Sequence, residues 1–487
     1  MLTATSAALA TTAMLAAATV AAIHGGEPVE HPDGSSTAPG AEHYTSPLLQ
    51  EPGLRPGVIF GLLLLTLPVL ALAGQCIRLG APARDRRLAA IRLAGATPGQ
   101  AILIAVAETV AASGLGSATG FGLYLGLRRV LHDPGPGGSL ALPTDAFPAP
   151  VPLAAAVVAV PVLAGLIGLM LIRGVAVTPL GVVRRHREHG PRPWPGLAIG
   201  AGVLVFNVPV WLSDRMEMPG FLFGLLMLLG AVLVMAGVVV GTGWISYTAG
   251  RLLHRFGRGP VTLLAGRRMM ADPWNGSRTL GALLGATVIG GAAMGYHALF
   301  VTQDRAEKQL NALTGNSQGL PDPLDGFYVG TARLVLIAVG VGVAVSAAGM
   351  LVALAESVVA RRRTNAALTA AGTSSGTLAG TLLWQTMAPL VPALALAVVS
   401  GLVLVRSLYH EVAVGGGITE SCTDPAADFA TCARTVVTDP IVTLPVPVPW
   451  QQLTVLGGGT VLLMLVVAAI GMLVLRSSTD LEEIRAA

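Results

Sequence analysis

Arg84-Asp-Arg-Arg-Leu-Ala-Ala-Ile-Arg-Leu-Ala-Gly-Ala-Thr97 and Arg361-Arg-Arg-Thr-Asn-Ala-Ala-Leu-Thr-Ala-Ala-Gly-Thr-Ser374 lie 277 residues apart and superpose without a gap. Ala90 falls on Ala367 and Gly95 on Gly372, and at the same offset Glu108-Thr109 falls on Gln385-Thr386. Further along, Pro148-Ala-Pro150-Val-Pro152 resembles Pro445-Val-Pro447-Val-Pro449 at an offset of 297, so the second copy carries an insertion in the loop before it. Self-similarity at a fixed offset marks an internal repeat.

Each copy is embedded in apolar runs near twenty residues long, the length a helix needs to cross hydrocarbon. Ten such spans are expected, at roughly 1–23, 54–78, 100–127, 151–173, 196–213, 219–247, 279–302, 331–356, 376–406 and 450–475. The first lacks the basic flank of a secretory signal and reads as an uncleaved helix. Composition agrees with a polytopic membrane protein. The 487 residues are 53% hydrophobic and only 11% charged, where a soluble protein carries roughly a quarter charged residues. Spans one to four then correspond to seven to ten, with five and six as an even-numbered insert. Both halves therefore point the same way, about a pseudo-twofold axis along the membrane normal. The expected fold is all-α, with two parallel four-helix repeats (1–195 and 261–487) joined by two extra helices (196–260). Gly116/Gly120, Gly122/Gly126, Gly281/Gly285 and Gly291/Gly295, small residues four apart, are expected to let helices approach closely.

Most of the 30 basic residues fall in one set of loops, which places that set and both termini in the cytoplasm. Lys308 is the single lysine and sits in Arg-Ala-Glu-Lys-Gln, so the chain has no Gly-Lys-Ser/Thr phosphate loop of its own. No aromatic residues interleave with the arginines as single-stranded nucleic acid would require. Cys422 and Cys432 lie between spans nine and ten, on the side assigned as external, and are expected to form a disulfide, the alternative being two free thiols. Cys76 reads as structural. His24, Glu27, Glu30, His31, Asp33, Glu42 and His43 lack any regular ligand spacing, so that loop reads as solvated and no metal site is expected.

The first copy, from Arg86 through Leu93-Ala94-Gly95-Ala96-Thr97 to Gln100, resembles the signature of the FtsX-like permeases: basic residues, a short apolar helix, then Gly-Ala-Thr leading into a membrane helix. These are the membrane subunits of one class of ABC transporter. Glu108 resembles a recurring glutamate of that family, whereas Thr364, Asn365 and Gln385 depart from it in the second copy. The large ectodomain between spans seven and eight of the ten-span members is missing.

The resemblance implies a permease without catalytic residues, coupling hydrolysis by a separate cytoplasmic ABC ATPase to export or extraction of a substrate at the plasma membrane. Substrates of the lipid, peptide or antibiotic-like kind fit that role. Two ATPase copies per chain would hold ATP and magnesium; the chain itself would hold no cofactor. It further implies that 84–97 and 361–374 are coupling segments, through Arg86, Arg87, Ile91, Leu93, Gly95, Thr97, Arg361, Arg362, Arg363, Leu368, Gly372 and Thr373. Residues 84–95 are expected to form an interfacial helix whose apolar contacts are Leu88, Ile91 and Leu93.

Glu108, two turns inside span three, must face the bundle, be protonated or pair with an arginine, because an isolated carboxylate there is costly. It reads as a relay or as a packing hydrogen bond, the latter suggested by Gln385. Asn207, Tyr296, His297 and Trp384 are further cavity-lining candidates. Two rival readings stay open: an ion-gradient transporter built on Glu108 and Asn207, and a mechanotransmitting scaffold that regulates an external partner.

Overall fold

A computed structural model describes residues 2–25, 29–30, 36–37, 43–50, 90–135, 138–176, 190–213, 219–314, 327–360, 362–422, 434–438 and 440–477. It also describes Arg215 and single positions between 55 and 87. The principal helices are α1 (Leu2–Ala21), α2 (Pro98–Val130), α3 (Pro150–Ala176), α4 (Trp194–Ser213) and α5 (Gly220–Phe256). They continue as α6 (Pro260–Ala271), α7 (Trp274–Thr314), α8 (Phe327–Ala360), α9 (Arg362–Ala370), α10 (Ser375–Arg406) and α11 (Trp450–Ser477). Among the described residues, eight helices are long and apolar enough to cross a membrane: α1, α2, α4, α5, α7, α8, α10 and α11. The expected fourth span, 151–173, falls on α3, which runs for 27 residues. The expected second span lies largely outside the described residues.

The central crossing is between α7 and α10. A Cβ on Gly291 would strike the Val398 carbonyl, and one on Gly401 would strike the Val288 carbonyl. With no side chain at either position the two backbones come into contact. Around this crossing Leu284, Val288, Leu390, Ala393, Ala397, Val343 and Met464 form the main core, drawing in α8 and α11. The insert joins the same core, since α4 and α5 interlock through Gly202 and Gly230 and α5 packs on α7 and α10. Buried Asn207 of α4 donates to the Ser407 Oγ at the end of α10, at 2.9 Å, and so fastens the insert to that helix.

The first-half helices pack in the corresponding pairs, α1 on α2 and α2 on α3. Gly116 and Gly120 admit α1 at Ala4, Ala7 and Ala8. Thr11 bonds Ser117 at 3.0 Å, and Thr19 bonds the Tyr124 hydroxyl at 2.8 Å along the same seam. At the offset of 277, Gly116 and Gly120 correspond to Ala393 and Ala397, both fully buried against α7. Gly281 and Gly285 face Val239 and Met235 of α5. Gly122 and Gly126 do not serve as expected: nothing lies within 4 Å of a Cβ on either, because they point away from the face that α1 covers.

One end of the bundle carries the arginine-rich turns and is called here the basic end. At the other, residues read as loop in sequence take regular structure. α7 runs for 41 residues, about 60 Å at 1.5 Å per residue, twice the hydrocarbon thickness. Its last turns therefore stand clear of the bundle. Beside them, β3 (Glu411–Val414) pairs antiparallel with β6 (Val442–Pro445), and β4 (Ile418–Cys422) with β5 (Arg434–Thr438). Both ladders share one register, so they form a single two-stranded arm jointed at Gly415 and Gly416, whose φ of +103° and +76° favours glycine. A much shorter pair, β1 (Val29–Glu30) with β2 (Ser36–Thr37), lies in the first half.

The first half closes this arm end with a clasp. Asp145 accepts from the Tyr44 hydroxyl at 2.8 Å and meets His43 at 2.9 Å. Arg128 donates to the Asp145 and Ala146 carbonyls. Buried Arg55 donates to the carbonyls of Ile23, Gly25, Leu49 and Gln50 at 2.8–3.0 Å, pinning the end of α1.

Two outcomes follow. Leucine at Gly401 should lower detergent-solubilised thermal stability by about 1–3 kcal/mol or prevent folding, by overpacking a backbone contact, while Gly122→Leu should fall within the scatter of wild type. Burial pushes the Asp145 carboxyl up, but hydrogen bonds from Tyr44, His43 and two backbone amides outweigh it and hold the group below the usual carboxylate range. A depressed folded pKa stabilises above the unfolded value, near 3.9, and that share is lost as pH falls through the folded value. Asp145→Asn should therefore cost about 1 kcal/mol at pH 7, discounted for partial exposure. Acid titration of the unfolding midpoint should show this difference shrinking below about pH 4.

Candidate functional site

The repeat motif becomes one recurring backbone device at the basic end. In the first copy Gly95 has φ +103°; its N–H bonds the Arg92 carbonyl at 3.0 Å, and the Ala96 N–H bonds the Ile91 carbonyl at 3.2 Å. In the second Gly372 has φ +93°; its N–H bonds Thr369 at 2.9 Å, and the Thr373 N–H bonds Leu368 at 3.0 Å. Both are helix-ending turns in which a left-handed glycine returns two amides to the last carbonyls. Two residues after each glycine the next helix is capped. Thr97 accepts from the Gln100 N–H at 3.3 Å, and the Gln100 side chain answers by accepting from the Thr97 N–H at 2.9 Å. Ser374 accepts from the Thr377 N–H at 3.3 Å. Each copy is thus a rigid corner from a short helix into a long one. At the far ends of those long helices, Arg128 holds the Ala146 carbonyl and Arg406 the Val446 carbonyl at 3.1 Å. The two arginines lie 278 residues apart and their carbonyl partners 300, the latter three residues beyond the proline match.

The two corners differ in their support. Leu368 of α9 packs with Leu264 of α6, Val358 of α8 and Leu378 of α10. The α6 brace lies in a stretch read from sequence only as basic residues; it buries Ala265, Gly266 and Met269 while Arg267 stays exposed. Gly250 and Gly266 let α5 and α6 touch backbone to backbone. In the first corner Ile91 is partly buried, but Leu93 is 90% exposed and does not supply the expected packing contact. It sits in the last turn before Gly95, where the chain reverses and its side chain is carried outward. Its counterpart is Ala370, also exposed.

Glu108 is settled by an ion pair. Its carboxylate accepts from the Arg87 guanidinium, with side chains 52% and 53% exposed, so the pair lies on the flank of α2 and does not face the bundle. The connection ties the start of the first corner to a point about 15 Å along the helix that follows it. At the 277 offset Arg87 becomes Thr364 and Glu108 becomes Gln385. Both charges are gone together, and the Gln385 Nε2 is buried without a hydrogen-bond partner among the described residues. Arg362 and Arg363 open α9, Gly372 and Thr373 form its turn, and Arg86, Arg361 and Cys432 fall outside the described residues. Cys422 is the last residue of β4, paired across the ladder with Arg434.

Sequence reasoning missed α6 because its residues read as a charged loop: the helix is far shorter than a span and holds two adjacent arginines, and Gly266 works through what it lacks. No curated protein is found to match the chain. Residues 336–479, from within α8 to just past the end of α11, match the family model described as FtsX-like permease C-terminal. Over that stretch, less than a third of its length, this multi-pass membrane protein is similar to the C-terminal domain of the FtsX-like permeases.

Proposed function

We propose that the chain is the permease subunit of an ABC transporter, driven by a separate cytoplasmic ATPase and moving its cargo outward. The observation that carries this reading is the same helix–glycine–cap corner in both copies, with the FtsX-like match lying over the second. In this reading the two halves are parallel four-helix repeats, the basic end and both termini are cytoplasmic, and the arm end is external. The corners at 84–97 and 361–374 are the coupling segments, each gripped by one of two ATPase copies, which hold the ATP and magnesium.

Each residue then has a mechanical role. Arg86, Arg87 and Arg361–Arg363 present charge to the partner, and Leu93 presents an apolar anchor. Gly95 and Gly372 keep the corners from unwinding, and Thr97 with Ser374 transmits their displacement to α2 and α10. The second corner is wedged among α6, α8 and α10, so its motion reaches the α7–α10 crossing directly. The first has the Arg87–Glu108 pair instead, which makes Glu108 a relay. The arm leaning on the projecting end of α7 supports a second use of the same motion, work on an external partner.

Purified in mild detergent from its native membrane, the chain should carry two copies of a Walker-motif protein, and Leu93→Asp should reduce that yield. A lone chain that moves solute under an ion gradient after reconstitution would overturn the reading. For the relay, Arg87→Gln and Glu108→Gln should each strand a charge and cost about 1–2 kcal/mol of stability. Arg87→Thr with Glu108→Gln, which copies the second repeat, should restore the unfolding midpoint yet leave ATPase stimulation impaired. Full stimulation in that double variant would reduce the pair to a structural contact.

A further inference from the structure

At the arm end the two halves treat their corresponding arginines in opposite ways. Arg55, just inside the expected second span, is buried and saturated by four backbone carbonyls. Its counterpart one position from the 277 offset is Arg333, in the second turn of α8, exposed and without a hydrogen bond or ion pair among the described residues. Its surroundings are polar groups from two other helices. The His297 ring of α7 lies within electrostatic reach of the guanidinium. Gln452 of α11 meets His297 Nδ1 through Nε2 at 3.2 Å, and its Oε1 is buried without a partner among the described residues.

These residues lie in one layer. Gly290 of α7 meets Val339 of α8 and Leu456 of α11, and one to two turns toward the arm end from those positions stand His297, Arg333 and Gln452. Beside Arg333, Leu334 and Ile337 are exposed, so this face of α8 opens on lipid. Buried polar groups are normally hydrogen-bonded, and a cation at a membrane boundary normally finds an anion. Three helices converge here on a cation, an imidazole and an amide oxygen with no partner among the described residues, with apolar surface running alongside.

We infer that this cluster binds the oxyanion headgroup of an amphiphile resident in the leaflet on the arm side. Arg333 takes the phosphate or carboxylate in charge-assisted hydrogen bonds, the His297–Gln452 pair meets the remaining polar atoms, and the tail lies along Leu334 and Ile337. As a cargo site it rests on the permease reading above; as a binding site it does not.

The full chain in phosphatidylcholine nanodiscs, titrated with dioleoyl phosphatidic acid and read by native mass spectrometry, tests the assignment. Wild type should retain the phosphatidic acid. Arg333→Gln should weaken retention about tenfold, the effect of one charged hydrogen bond, and Gln452→Leu less. Arg333→Lys should keep most of it, showing that position 333 tolerates change. Arg215→Gln, at another exposed arginine, should change nothing. Equal losses in the Arg215 and Arg333 variants, or wild-type retention in both Arg333→Gln and Gln452→Leu, would overturn the site. Inorganic phosphate binding as tightly as phosphatidic acid would overturn the membrane source. Co-elution of the ATPase, measured on the same variants, should be unchanged; its absence from wild type would fail the permease reading and leave this result standing.

Discussion

The backbone contact between α7 and α10 organises the second half of the molecule. In hydrocarbon there is no solvent-driven reason for two apolar helices to associate, so they hold by surface fit. Gly291 and Gly401 remove the side chains that would keep the axes apart, and Ala393 and Ala397 continue the narrow seam. Once α7 and α10 are fixed at that distance, α8 and α11 fill the grooves on either side and α5 closes another face. Every feature with a proposed role in this half hangs on one of these helices: α9 at the start of α10, the arm on the end of α7, and the polar cluster among α7, α8 and α11.

A recurring motif need not keep recurring chemistry. The corner is preserved because its geometry is a backbone property: a left-handed glycine and a hydroxyl cap suffice whatever surrounds them. The side chains that connect each corner to its long helix have diverged. Where Arg87 and Glu108 pair, Thr364 and Gln385 stand, and α6 supplies apolar support in place of the ionic link. Loss of both charges together is what electrostatics favours, since a single survivor would be left without its counter-ion at the membrane boundary. The arginines at the opposite end diverge in the other direction, one enclosed by carbonyls and one left open.

Where the sequence misleads, the cause is local. α6 is only twelve residues long and carries adjacent Arg267 and Arg268, so it is too short to stand out as a span and reads as part of the basic loop around it. The last turns of α7, with Gln303, Asp304, Glu307 and Lys308, read as loop because hydropathy registers where the membrane ends and not where the helix does. The arm contains several glycines, which ordinarily argue against strands. Four glycine pairs had the same spacing, yet two cross against neighbouring backbones, one faces side chains and one faces nothing.

Hydropathy, arginine placement and the 277-residue offset are enough to establish a membrane protein with all eight of its described spans and with corresponding motifs in its two halves. Those properties are written residue by residue, because a span's length and a turn's glycine depend only on neighbours in the chain. Which glycines touch, which arginine meets Glu108, which is caged by carbonyls and which is left facing His297 were decided only by tertiary structure. Each of those outcomes depends on helices far apart in sequence, and a charge or a missing side chain acquires its meaning from what is brought opposite it.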